Sequence, residues 1–171
     1  MRISFDLDDT VICHQPHIAD ERNRVPRLLR WWLNEPLRAG TLELFQQLRQ
    51  QGHSIGVYTT SYRRKHYIKT LFKCYGLKLD FIINQYDHER RFQERLHKVA
   101  TKMPQCYDID FHIDDDKVLE SNARNFGFHM VRIKEEDGDY ASTVLDAVAK
   151  RQERLWEKQI EALKGAVAES N

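Results

Sequence analysis

Asp6, Asp8 and Asp9 sit together just ahead of Thr10, directly after the short apolar run Ile3-Ser4-Phe5. Two further polar groups follow apolar runs in the same way: Thr59-Thr60-Ser61 after Ser54–Tyr58, and Asp114-Asp115-Asp116 after Ile109–Ile113. Lys102 lies ahead of the last run. Carboxylates from separate runs, gathered within a few ångström, repel unless a cation joins them. An all-oxygen donor set favours a hard ion, and magnesium suits a site that also holds phosphate. In such a site one carboxylate can attack phosphorus, and a second, two residues on, can give and take a proton. A hydroxyl and a lysine can hold the phosphoryl oxygens as charge develops on them. Alone, Asp6–Thr10 reads equally as a helix N-cap cluster or a solvated loop. Thr59 after one run and Asp114-Asp115 after another favour the chemical reading.

Such a set meets only if the chain places those runs side by side. The pattern predicts strands at residues 3–5, 54–58, 79–83, 109–113 and 128–133. Between them, Leu44, Phe45 and Leu48 predict a helix over 41–51 that stops at Gly52. Tyr67, Ile68, Leu71, Phe72 and Tyr75 predict a second, ended by Gly76. Phe92, Leu96, Val99 and Met103 predict a third, and residues 117–126 a fourth. Strands alternating with helices imply an α/β, Rossmann-like fold: a parallel sheet of about five strands with helices on both faces. Ligands of such sheets bind beyond the carboxyl ends of the strands, where the polar groups fall.

Two segments break the alternation. Residues 12–37 contain Pro16, Pro26, Pro36 and the run Leu28-Leu29-Arg30-Trp31-Trp32-Leu33, too long for a simple loop. They are expected to form a flap or small cap within a core of residues 1–139. Residues 140–171 predict a C-terminal amphipathic helix, with Leu145, Val148, Leu155, Trp156, Ile160, Leu163 and Val167 near one side. Packing on the core is the favoured expectation, and a homodimer through residues 140–168 the second.

The 27 basic and 26 acidic side chains nearly cancel, so no global field argues for a nucleic acid or a membrane surface. Cys13, Cys74 and Cys106 are far apart and form no CxxC pair, which reads as reduced thiols. No run approaches the ~18–20 apolar residues of a membrane span, and the acidic N-terminal segment is unlike a secretory leader. A soluble, cytoplasmic protein is expected. Local charge is more telling. Arg22, Arg24, Arg27 and Arg30 belong to the insert, and Arg63, Arg64 and Lys65 follow the second polar group. The latter oppose the dipole of the helix they begin, so they read either as a solvated helix end or as receivers of an anionic substrate. His14 and His17 read as surface residues, and Tyr62 and Tyr67 as core or as stacking platforms.

Asp6-Leu7-Asp8-Asp9-Thr10 resembles the first motif of the haloacid dehalogenase-like superfamily. Ser54-Ile55-Gly56-Val57-Tyr58-Thr59 resembles its second, and His112-Ile113-Asp114-Asp115 its fourth, over about residues 1–133. The third motif, a lysine ahead of the fourth, is assigned to Lys102, with Lys98 second. The resemblance implies that Asp6 is the nucleophile and a magnesium ligand, and that Asp8 is the acid/base with its carbonyl on the metal. It implies that Thr59, with Thr60 beside it, and Lys102 bind phosphate. Asp114 would ligate the ion, Asp115 would do so directly or through water, and Thr10 would orient the loop. An aspartate at position 8 is similar to the phosphatase branch, and the expected function is magnesium-dependent hydrolysis of a phosphomonoester through an aspartyl phosphate. Relatives without a large cap often rely on a partner subunit or the substrate to exclude water. The phosphorylated substrate stays open among small molecule, nucleotide and macromolecule. A nucleotidase or a polynucleotide or protein end-phosphatase, and a non-catalytic binding protein on the same scaffold, are the alternatives.

Overall fold

The fold was analysed in a computed structural model that describes residues 1–134 and 136–168, the last four of these as backbone alone. Five short strands pair in parallel: β1 (Arg2–Phe5), β2 (Ser54–Tyr58), β3 (Phe81–Ile83), β4 (Phe111–Asp114) and β5 (Met130–Arg132). Their spatial order is β3-β2-β1-β4-β5, so β1 is central, with Phe5 opposite Val57 on one side and Ile113 on the other. The helices are α1 (Thr41–Gln50), α2 (Lys65–Cys74), α3 (Gln85–Phe92), α4 (Lys117–Phe126) and α5 (Tyr140–Ala168). This is the α/β, Rossmann-like architecture that the alternation implies.

The period of two along a strand sorts the sheet into unlike faces. Ile3, Phe5, Ile55, Val57, Phe111 and Ile113 face one way and pack with Leu44, Phe45 and Leu48 of α1, Ile68, Leu71 and Phe72 of α2, and Tyr140, Val144 and Val148 of α5. Ser4, Tyr58, His112 and Asp114 alternate with them and are also buried. Smaller clusters lie on this second face, one of them joining Ala100 and Met103 to Leu119 and Ala123 of α4. A polar stripe therefore runs through an otherwise apolar sheet and ends at the carboxyl edge.

Gly52 and Gly76 follow α1 and α2 at φ 79, where a side chain would be strained, so the stops read from the sequence are stereochemical. The third helix differs from its expectation. It starts at Gln85 because Asn84 and Asp87 form a capping box immediately after β3. It ends at Phe92, and a tighter turn covers Gln93–Lys98 after Gln93 adopts φ 41. Leu96 is thereby exposed rather than packed on a helix face. Three strands also start later than expected, since residues 79–80, 109–110 and 128–129 only lead into β3, β4 and β5, and β4 runs on through Asp114.

The 12–37 insert holds a single helical turn, Arg27–Leu29. Antiparallel bridges Ile12–Leu37 and Asp20–Arg38 pin its base, and Val25, Leu33 and Leu37 sink into the core. Trp32 packs on His66 and edge-on to Tyr67 of α2. Leu28 and Trp31 remain more than four-fifths exposed, at 86% and 83%. Helix α5 divides in the same way. Tyr140, Val144 and Val148 are buried, whereas Trp156, Ile160 and Leu163 lie in solvent. The side chain of Val167 falls outside the described residues. No described helix is long and apolar enough to cross a membrane.

Candidate active site

The carboxyl edge of the sheet is where the polar residues collect, because each of three adjacent strands ends in one. The Asp6 amide extends the ladder to the Ile113 carbonyl at 2.8 Å, and the Thr59 amide does the same to Ile83 at 3.0 Å. Beyond Asp6 the chain turns at once. Leu7 is fully buried and its carbonyl receives the amides of Val11 and Ile12 at 3.0 and 2.7 Å. Asp9 takes φ 56 within this turn. The turn's backbone bonds run to Leu7 and Ile12 and leave the Asp8 carbonyl out of the ladder.

Lys102 binds the edge together. Its ammonium group, almost wholly buried, lies 2.7 Å from Asp6 Oδ1 and 2.5 Å from Asp114 Oδ2. Burial works against the charge on Lys102, but Asp6 and Asp114 outweigh it and hold the amine above its ordinary value. Burial raises the Asp6 carboxyl despite Lys102. It would raise Asp114 as well, but Lys102 and His112 pull that group well below the usual carboxylate range. Asp115 is raised by its partial burial and by Asp114 beside it.

Behind this cluster lies a support that the residue-by-residue reading missed. Ser4 Oγ is 2.7 Å from His112 Nδ1, and His112 Nε2 is 2.8 Å from Asp114 Oδ2. The Asp116 amide donates to Asp114 Oδ1 at 2.9 Å, and Thr10 Oγ1 donates to Asp115 Oδ1 at 3.2 Å. The signal was present in the alternation: Ser4 precedes Asp6, and His112 precedes Asp114, by one strand period.

The expected residues fall into two groups. Asp6, Lys102, Asp114 and Asp115 meet, whereas Lys98 is exposed on the turn before them. Thr59 is buried at the end of β2, its hydroxyl accepting the Ser61 amide at 3.1 Å, and Thr60 lines the open side. Asp8 stands apart. Arg63 grips both of its oxygens at 2.8 Å, and His14 Nε2 lies 3.1 Å from one of them. Arg63 is itself held by both oxygens of Glu35 of the insert, and Glu35 Oε2 also accepts from the Tyr67 hydroxyl at 2.8 Å. Burial raises the Asp8 carboxyl, but the hydrogen bonds of Arg63 and His14 outweigh it and lower it. The roles of Arg63 and Glu35 were invisible in the sequence, since 55 residues separate Asp8 from Arg63 and 28 separate Arg63 from Glu35, whereas His14, six residues from Asp8, read only as a surface residue.

One oxygen each of Asp6, Asp114 and Asp115 lie within 4.8 Å of one another. Asp6 Oδ1 is buried and, apart from the ion-pair contact with Lys102, takes no aligned hydrogen bond. Lys102 offsets one negative charge of the three, so the cluster keeps a net negative charge and an under-coordinated oxygen. That donor set fits a hard divalent cation such as magnesium. Above it opens a cleft of about 600 Å³ whose floor includes Asp6, Lys102, Asp114 and Asp115. Compared with known protein families and with curated proteins, the chain matches none.

Proposed function

We propose that the chain is a phosphomonoester hydrolase that transfers the phosphoryl group to Asp6, as its resemblance to the haloacid dehalogenase-like phosphatases implies. The observation that carries this reading is the meeting of Asp6 and Asp114, from adjacent strands, on the one ammonium group of Lys102. Two buried carboxylates around a lysine serve poorly as a stability device, because desolvating such a set offsets most of its attraction. They serve well as a place where charge is made and moved.

In this reading an Asp6 oxygen donates its electron pair to phosphorus. The bond from phosphorus to the alcohol oxygen breaks, that oxygen keeps the pair, and it takes a proton from the Asp8 carboxyl group. Water then attacks the aspartyl phosphate while Asp8 takes a proton from it. The bond between Asp6 and phosphorus breaks, inorganic phosphate leaves, and Asp8 is protonated again. Lys102 and the Thr59 hydroxyl hold the phosphoryl oxygens, with the lysine offsetting charge as it builds. Asp6, Asp114 and Asp115 would hold magnesium, which when bound would neutralise charge on the carboxylates and the phosphoryl group. Arg63 keeps Asp8 ionised, which suits the water step. For the first step Asp8 leaves the guanidinium fork and gains a proton.

The test is phosphate release from 4-nitrophenyl phosphate and a panel of alkyl phosphates, with magnesium or with a chelator. Release that needs the metal and disappears in Asp6→Asn is the expected result. Activity surviving Asp6→Asn, or none with any ester, sinks the reading.

A further inference from the structure

The cleft's outer walls differ from its floor. One wall is Leu96, Val99 and Ala100, and the other is Tyr62, Gln85 and His88. Leu96 is 39% exposed and Tyr62 52%, so both present carbon surface to the opening. Tyr62 also packs edge-on against Tyr86, with ring centroids 4.9 Å apart. Most polar groups on the second wall are already engaged, and Gln85 Oε1, which has no hydrogen-bond partner among the described residues, is buried away from the opening. Glu89 accepts from the Tyr62 hydroxyl, and from Gln85 Nε2 at 3.1 Å. His88 Nδ1 is 2.6 Å from the Tyr58 hydroxyl, and burial lowers the imidazole's pKa, favouring its neutral form.

Cations are missing from these walls. Among the described residues lining the cleft, Lys102 is the one lysine or arginine, and it is committed to Asp6 and Asp114. Arg63 lies behind Asp8, and Arg95 and Lys98 are exposed on the turn that carries Leu96 without lining the cleft. Asp9 and Asp116 line it, and neither forms an ion pair among the described residues. A second negative charge on the bound ester would meet those carboxylates without a counter-charge.

Resting on the hydrolase reading above, we infer that the cleft selects monoesters of an uncharged alcohol with an apolar face, and rejects those with a second anionic group. Bisphosphates, nucleoside polyphosphates and phosphorylated acids belong to the rejected class. Even at the dielectric of bulk water, a carboxylate placed about 8 Å from two unpaired carboxylates loses roughly sixfold in affinity, and the lower effective dielectric near a protein surface deepens that loss. An apolar ring against Leu96 and Val99 gains from burial instead.

Benzyl phosphate and 4-carboxybenzyl phosphate separate these effects, because the extra charge lies across the ring and barely changes how easily the alcohol leaves. The unmodified chain with magnesium is expected to show kcat/KM about tenfold or more higher for benzyl phosphate. Leu96→Lys, which supplies the missing cation, is expected to narrow or reverse that ratio. Calorimetry on Asp6→Asn with benzylphosphonate and 4-carboxybenzylphosphonate is expected to give the same order without turnover. Equal or better use of the carboxylated ester by the unmodified chain, or equal binding of the two phosphonates, overturns the inference. Selective phosphonate binding with no hydrolysis of any ester would overturn the hydrolase reading and leave the cleft's selectivity standing.

Discussion

Lys102 is flanked by Asp6 and Asp114 in a place that water scarcely reaches, so its removal should be felt far beyond the loss of one contact. Lys102→Met keeps the bulk and deletes the charge, leaving two buried carboxylates facing each other. Breaking a buried ion pair from one side costs about 3–5 kcal/mol. The expected outcome is a much lower melting temperature, partly restored by magnesium, with a larger metal-induced rise than in the unmodified chain. Differential scanning fluorimetry with and without the metal reads both. A variant that melts like the parent would mean that the carboxylates are already neutral. Most of this cluster was legible in the sequence, because Asp6, Thr59 and Asp114 each end an apolar run and Lys102 precedes the last. Asp8 was legible as a residue and not as a conformation, since its partner Arg63, and the Glu35 that holds Arg63, come from two other segments.

Among the elements, β2 and β3 approach closely at Gly56. Gly56 has no side chain, and Phe81 fills the space: an added Cβ would lie 2.5 Å from both the Phe81 ring and its carbonyl oxygen. Because one of those atoms is backbone, Gly56→Ala must push β3 away. A loss of about 1–3 kcal/mol is expected in denaturant titration. Asp80, just before β3, ties α1 to the sheet by accepting from Arg49, the Ile55 amide and Ser54 Oγ. Burial would raise its carboxyl, but those hydrogen bonds, Arg49's foremost, lower it. A depressed folded-state value means stability that is fully present above the unfolded value of about 3.9 and is lost as pH falls through the folded one. Asp80→Ala should therefore cost about 2 kcal/mol near neutrality, and the gap from the parent should close as melting is followed down through pH 4 and below. Helix existence followed from periodicity. The bounds of α3 did not, because a capping box at Asn84 and the left-handed turn at Gln93 overrode the apolar spacing of Phe92, Leu96 and Val99.

For the whole molecule, the sequence pattern reached the parallel sheet and its helices but not the strand order, nor which half of the last helix is bound. Tyr140, Val144 and Val148 pack on the sheet, and Trp156, Ile160 and Leu163 form an exposed stripe one to two turns apart. Ending the chain after Gln152 should leave the melting temperature within about 2 °C of the parent, since surface changes rarely exceed ~0.5 kcal/mol. Sedimentation of the same pair measures whether the stripe joins two copies. A fall from a two-chain to a one-chain mass on truncation supports pairing through residues 140–168, and an unchanged number of chains per particle counts against it.

The central position of β1 has a kinetic consequence. Its neighbours are 52 residues away at Ser54 and 108 away at Phe111, so neither edge of β1 is closed by a local hairpin. Loops of that length must close before the contacts reward them, which slows folding. Asp6 and Asp114 sit on opposite sides of the longer closure. In a refolding time course the pairing of Lys102 with Asp6 and Asp114 should therefore assemble with the last cooperative phase, no earlier than the whole sheet.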